Sequence, residues 1–150
     1  MKYFVYTVIA VVILAVIGGI IVAGSPAEER ARRFDQERVW NLQYIQSEVA
    51  NYWVNKETLP KNLEELQDPL RGFILPKDPQ TGEEYGYEIK GELSFSLCAN
   101  FQTESEYSDI YSRNEIIYPA ALTKVENNWE HGIGKTCFER EIDPDFFKKD

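Results

Sequence analysis

The sequence predicts an α+β protein with an N-terminal transmembrane helix, then a long amphipathic helix packed on a small antiparallel β-sheet. Three observations predict this fold class. Residues 3–23 form an uncharged apolar run, apolar residues recur at helical spacing between 31 and 53, and apolar and polar residues alternate strictly over 93–101. We therefore divide the 150 residues into an anchor with a short break, 1–26, and one soluble domain, 27–150.

The apolar run has the length of a membrane span. No charged residue lies between Lys2 and Glu28. As a helix, residues 3–23 extend ~32 Å, against ~30 Å for the hydrocarbon core of a bilayer. We expect these residues to lie in the lipid bilayer. The alternative is a secretory signal cleaved at Ala-Gly-Ser, 23–25, although the run is longer than the apolar part of such signals.

The charges beside the run conflict with the cysteines over orientation. Four arginines follow the run within 30–38, against Lys2 before it, so the positive-inside rule places the domain in the cytoplasm. A pairing of Cys98 with Cys137 favours an oxidising compartment instead. The residues alone leave this conflict open.

The soluble domain is strongly acidic. Residues 27–150 hold 15 Lys and Arg residues (16 less Lys2) and 25 Asp and Glu residues, a net charge of −10. Non-specific nucleic-acid binding needs a basic face, so we expect no nucleic-acid partner.

The long helix is predicted over 27–55. Ser25 is a suitable N-cap, Pro26 suits the first helical position, and Glu28 completes a capping-box pattern. Arg38 interrupts the apolar stripe, and the arginines are expected on a solvated face. The stripe comprises Ala31, Phe34, Leu42, Ile45, Val49, Tyr52 and Trp53.

Shorter elements follow. Asn62 is the predicted N-cap of a short helix, 62–67. The sequence Asp-Pro-Gln-Thr-Gly at 78–82 is typical of a tight turn. Alternating residues predict a β-hairpin over 85–101, with one apolar and one polar face.

The remaining chain is predicted as an irregular loop over 102–136 and a last strand over 135–142, with Phe138 and Ile142 facing inward. If that strand lies beside the hairpin, Cys98 and Cys137 emerge on the same outer side. A disulfide between them would close the loop and stabilise the fold by ~4 kcal/mol in the loop-entropy model. The alternative is two unpaired cysteines of a cytoplasmic protein.

No motif predicts catalysis, a cofactor or a metal site. A single histidine, His131, cannot build a common zinc site, and Gly-Lys-Thr at 134–136 lacks the leading glycine of a phosphate loop. An enzymatic site at His131 and Glu130 is an alternative, as is a calcium site built from loop oxygens. The candidate carboxylates are Asp78, Asp109, Glu130, Asp143 and Asp145.

Four motifs follow one another along the chain, from the end of the long helix to the hairpin. They are Asn-Tyr-Trp at 51–53, Leu-Pro-Lys-Asn-Leu at 59–63, Asp-Pro-Gln-Thr-Gly-Glu-Glu-Tyr-Gly-Tyr at 78–87 and Phe-Ser-Leu-Cys-Ala at 95–99. This order resembles the type IV pilins and the pseudopilins of type II secretion. The resemblance implies a pilin-like domain, a disulfide-closed C-terminal region, and a non-enzymatic structural or assembly role in a type IV pilus or type II secretion-like system.

The resemblance also implies a location and partners. It places the chain in the bacterial cytoplasmic membrane as a single-pass protein, with its C-terminal domain periplasmic or extracellular. The expected partners are the lipid bilayer, through residues 3–23, and other pilin-like subunits or envelope proteins. The apolar run lacks the glutamate and the processing site of that family. The alternative function is therefore a fixed single-pass envelope binding or adaptor protein that does not assemble into filaments.

Overall fold

The structure is a computed structural model that describes residues 2–23, 25–67, 72–105 and 128–144. It confirms the α+β class, with a long helix and a small antiparallel sheet of three strands. Its elements are α1 (Lys2–Ala23), α2 (Pro26–Lys56), a 3-10 helix (Leu63–Leu66), β1 (Gly86–Ile89), β2 (Ser94–Phe101) and β3 (Gly134–Glu141).

Helix α1 is 22 residues long, and its apolar side chains are exposed. Every side chain from Tyr3 to Gly19 is exposed. Judged on the residues that the structure describes, no helix has both the length and the apolarity to cross a membrane. The transmembrane part of the expected fold therefore stays a prediction.

Helix α2 begins one residue before the expected start and ends one residue after the expected end. The Ser25 hydroxyl accepts a hydrogen bond from the Ala27 N–H at 3.3 Å. The carboxylate of Glu28, which the sequence assigns to a capping box with Ser25, accepts a hydrogen bond from Arg32 at 3.0 Å. At the other end Glu57 adopts the left-handed conformation, with φ 56°, and terminates the helix.

The sheet has the strand order β1-β2-β3, and both pairs are antiparallel. The pairing of Ile89 with Phe95 places β1 and β2 in a hairpin. β3 pairs with β2 along its whole length, from Ser94 opposite Glu141 to Phe101 opposite Gly134. β2 is therefore the central strand, covered on both edges.

The core lies between α2 and the inner face of the sheet. Neither apolar surface has a partner within its own element, so packing one on the other removes both from water. Each fully buried Leu, Ile or Phe contributes about 1.5–3 kcal/mol relative to exposure. The residues of the core include Leu42, Ile45 and Val49 of α2, Phe95, Leu97, Ala99 and Phe101 of β2, Phe138 of β3 and Ile142 just after it, Leu63 and Leu66 of the 3-10 helix, and Phe73, Leu75 and Tyr85 from the connecting segments.

The outer face of β2 differs from the expected exposed polar face. Ser96 and Cys98 are both buried there. The reason is the central position of β2, since Glu88 of β1 and Glu139 of β3 lie directly opposite Ser96 on its two sides. An alternating pattern therefore identifies the two faces correctly but does not reveal that neighbouring strands cover the polar one.

Candidate functional site

A fully buried arginine lies where α2 meets the turn before β1. Arg38 is only 2 % exposed. Its guanidinium donates to Asp35 at 2.7 Å and, through two nitrogens, to Asp78 at 2.5 and 3.1 Å. A further bond reaches Gln80 at 2.9 Å. These four residues form the Arg38 cluster, and the expectation that Arg38 lies on a solvated face is wrong because two carboxylates hold it inside.

Asp35 joins this cluster to the end of β2. Its carboxylate accepts the backbone N–H of Gln102 at 3.0 Å and that of Thr103 at 2.7 Å. The Thr103 hydroxyl donates to the same carboxylate at 2.7 Å. A buried charge of this kind is tolerated because four donor groups, one of them the Arg38 guanidinium, bind its two oxygens. One side chain thereby fixes the exit of the central strand against α2.

Asp78 opens the tight turn that the sequence predicts. Its carboxylate accepts the backbone N–H groups of Gln80 and Thr81, both at 2.9 Å. Gly82 closes the turn with φ 72°, a conformation that favours glycine. The same carboxylate therefore shapes the turn and holds Arg38, so the turn is attached to α2 by an ion pair.

The electrostatics of the cluster favour the charged forms. Burial alone would lower the pKa of Arg38, but its hydrogen bonds to Asp78 and Asp35 and the charges of both outweigh burial and raise the pKa. Burial alone would raise the pKa of Asp78, but the Arg38 guanidinium and the N–H groups of Thr81 and Gln80 lower it to about 2. Arg38 therefore stays protonated and Asp78 stays ionised, which suits holding chain segments together rather than transferring protons.

A second buried arginine lies at the other end of the core. Arg140 is 3 % exposed and donates to Gln46 of α2 at 2.9 Å and to the carbonyl oxygen of Asn128 at 2.9 Å. Its guanidinium lies 4.2 Å from the ring centroid of Trp129. Burial lowers the pKa of Arg140 to about 10. The sequence analysis missed this residue, and its only signal was a position facing inward in β3, between Phe138 and Ile142.

His131 occupies a shallow depression at the start of β3. Its ring stacks on Phe101, with centroids 3.7 Å apart. Its backbone N–H donates to the Ser105 hydroxyl at 3.0 Å. Within the described ranges, no group of three or more metal-ligating side chains is close enough to hold a metal ion. The depression is lined by Glu104, Ser105, Glu130, His131, Gly132 and Thr136.

The three candidate carboxylates that the structure describes lie in different places. Asp78 belongs to the Arg38 cluster, Glu130 lines the depression, and Asp143 follows β3. Asp109 and Asp145 lie outside the described residues, as does the greater part of the loop expected over 102–136.

The predicted disulfide is present. Cys98 and Cys137 are bonded, and they face each other directly across β2 and β3. On the other side of β2, Gly86 lies opposite Cys98, and a Cβ atom at Gly86 would approach the Cys98 Cβ to 3.0 Å. The covalent link and the close glycine together explain why this part of the outer face is buried.

Comparisons with models of known protein families, with curated proteins and with solved structures find no match for this chain. The function is therefore argued from the physical features above. These are an exposed apolar helix, a small domain joined by internal ion pairs, and a disulfide across neighbouring strands.

Proposed function

We propose that this is a non-enzymatic, membrane-anchored protein with a pilin-like domain and a structural or assembly role in a type IV pilus or type II secretion-like system. The observation that carries the proposal is the order of parts. An apolar helix, α1, precedes a second helix, α2, whose inner face packs on an antiparallel sheet. The sequence motifs at 51–53, 59–63 and 78–87 support the same reading.

The exposure of α1 supports a membrane anchor. A helix that is apolar on all sides is stable only when something apolar surrounds it, either a protein interior or lipid. The side chains of α1 from Tyr3 to Gly19 are exposed, without such surroundings among the residues that the structure describes. The apolar sequence continues to Ala23, beyond those side chains, and 22 helical residues extend ~33 Å. We propose that residues 3–23 lie in the bilayer.

The disulfide supports a domain outside the cytoplasm. Disulfides persist in oxidising compartments and are rare where thiols are kept reduced. The pairing of Cys98 with Cys137 therefore favours a periplasmic or extracellular domain over the orientation that the arginines after α1 suggest.

The polar groups support a structural role. Arg38 and Arg140 donate their hydrogen bonds to other segments of the same chain. Arg38 joins α2 to the turn at 78–82, and Arg140 joins α2 to Asn128. Such groups specify how the segments pack; they do not present a nucleophile or a free base to a substrate. We propose that the domain displays surfaces rather than catalyses a reaction.

The apolar run itself favours one alternative. It contains no glutamate, so a charge that could set the register between neighbouring subunits inside a filament is missing from this helix. That observation favours a fixed envelope binding or adaptor protein, which keeps the anchor and the domain but does not assemble.

A shearing experiment distinguishes the two functions. Cells producing the full chain are sheared, and the chain is quantified in the released surface filaments and in the membranes, together with the mass of its N-terminus. A filament subunit is expected in the sheared fraction. Recovery solely as a monomer in detergent-solubilised membranes, with Met1 intact, would overturn the filament role and support the adaptor.

A deletion tests the anchor. Removing residues 2–25 is expected to release the domain from membranes that retain the full chain after alkaline washing, because α1 carries the apolar surface. Labelling of intact cells with a membrane-impermeant thiol reagent, before and after mild reduction, locates Cys98 and Cys137. Release of the full chain by alkaline washing, or labelling only after lysis, would contradict the proposed anchor or the proposed location respectively.

A further inference from the structure

Two distant segments are joined by a small set of bonds at His131. The Ser105 N–H donates to the His131 carbonyl oxygen at 2.9 Å, and the His131 N–H donates to the Ser105 hydroxyl at 3.0 Å. The Ser105 hydroxyl in turn donates to the His131 carbonyl at 3.2 Å. We call these contacts the Ser105–His131 junction. It connects the segment that leaves β2 to the segment that enters β3.

The imidazole ring of His131 lies beside this junction and stacks on Phe101. It lies nearly parallel to Phe101, with an angle of 12° between the ring planes. Its Nδ1 atom is buried and has no hydrogen-bond partner among the described residues. A neutral ring with its hydrogen on Nε2 leaves Nδ1 as an acceptor. A protonated ring puts a charged N–H at Nδ1, where no acceptor lies among the described residues, and that state is the costlier one although hydrogen bonds with the backbone of Gly132 and Thr103 favour the charged ring.

The surrounding charges act in both directions. The charge of Asp35 on α2 and hydrogen bonds with the backbone of Gly132 and Thr103 raise the pKa of His131, and the charge of Arg38 on α2 lowers it. Glu104 and Glu130 line the depression beside the ring, and both are exposed. Burial is the largest influence, and it lowers the pKa of His131 below its ordinary value of 6.5. Asp35 also accepts hydrogen bonds from Arg38 and Thr103, and its attraction for a protonated ring does not outweigh burial.

We propose that His131 makes the Ser105–His131 junction acid-sensitive, firm at neutral pH with an uncharged ring and weakened when the ring takes up a proton. The folded state binds this proton less well than the unfolded chain does. The stabilisation is therefore present above pH 6.5 and is lost as the pH falls below that value toward the lower pKa of the folded state. Because His131 is the one histidine of the sequence, a transition in this range is readily assigned.

The test uses the full chain in detergent micelles. Thermal unfolding is followed by near-UV circular dichroism at several pH values from 7.5 to 5.0, for the unaltered chain and for His131→Phe, which keeps an aromatic ring on Phe101. The unaltered chain is expected to lose a few degrees of melting temperature over this range, whereas His131→Phe stays nearly constant. An equal loss in both chains would overturn the proposal.

Two further measurements test whether His131 and the junction are responsible for the transition. The pKa of the His131 imidazole, read from its proton chemical shifts, is expected below 6.5, and a value at or above 6.5 would overturn the proposal. Ser105→Ala is expected to melt lower at every pH and to lose less melting temperature on acidification than the unaltered chain, because it already removes two of the hydrogen bonds of the junction. If it melts like the unaltered chain, the junction is not the element that His131 controls. His131→Asn replaces His131→Phe if the phenylalanine variant does not fold.

Discussion

At the scale of single residues, Arg38 is the most consequential side chain of the domain. Its exposed fraction is 2 %, and it forms ion pairs with both Asp35 and Asp78. Removing it leaves these two carboxylates without the cation that they share. We expect Arg38→Ala to lower the free energy of unfolding by about 3–5 kcal/mol, the range for breaking a buried ion pair. Urea denaturation measures this change. Arg33→Ala, at an exposed i,i+4 pair with Glu29, is the matched control and is expected to change it by less than about 0.5 kcal/mol.

Asp78 gives the fold a dependence on acid. Its pKa is lowered to about 2 in the folded state, against 3.8 ordinarily. The stabilisation is present above pH 3.8 and is lost as the pH falls through about 2, because protonation removes the acceptor of Arg38. We expect a loss of at most about 2 kcal/mol over this interval, read from melting temperatures. Asp78→Asn should start less stable and show a smaller loss. An unchanged acid profile would contradict this account.

At the scale of elements, β1 depends on having no side chain at Gly86. A Cβ atom there would lie 3.0 Å from the Cβ of Cys98 and 3.6 Å from its sulfur, and the disulfide limits how far Cys98 can retreat. We expect Gly86→Ala to destabilise the domain by about 1–3 kcal/mol, as overpacking does. Gly132→Ala, where a Cβ would meet nothing within 4 Å, is the control, and equal effects in chemical denaturation would refute the steric explanation.

Elements also show how far sequence reasoning reaches. The cap of the 3-10 helix was predictable because Asn62 accepts from Glu65, three residues away. The partners of the two buried arginines were not, because Arg38 meets Asp78 across 40 residues and Arg140 meets Gln46 across 94. A charged residue inside an apolar stripe signals that a buried partner is needed, but spacing alone does not identify that partner.

At the scale of the whole molecule, the disulfide is the covalent constraint between two distant parts of the chain. Cys98 and Cys137 are 39 residues apart in sequence and face each other in the sheet. We expect replacing both by alanine to lower the free energy of unfolding by about 2–4 kcal/mol, chiefly by freeing the unfolded chain. Urea denaturation of the unaltered chain and the double variant measures it. Equal midpoints would show that strand pairing alone supplies the constraint.

The first residues of α2 have a consequence for how the domain meets a charged surface. Residues 26–30 are exposed, and the first buried residue of the helix is Asp35, nine positions after Pro26. Nine helical residues span ~14 Å, which exceeds the screening distance of ~8 Å in physiological salt. Residues 34–150 carry 12 Lys and Arg against 23 Asp and Glu, a net charge of −11. If α1 lies in lipid as proposed, this spacer holds the negative charge far enough from anionic headgroups that salt largely screens their mutual repulsion.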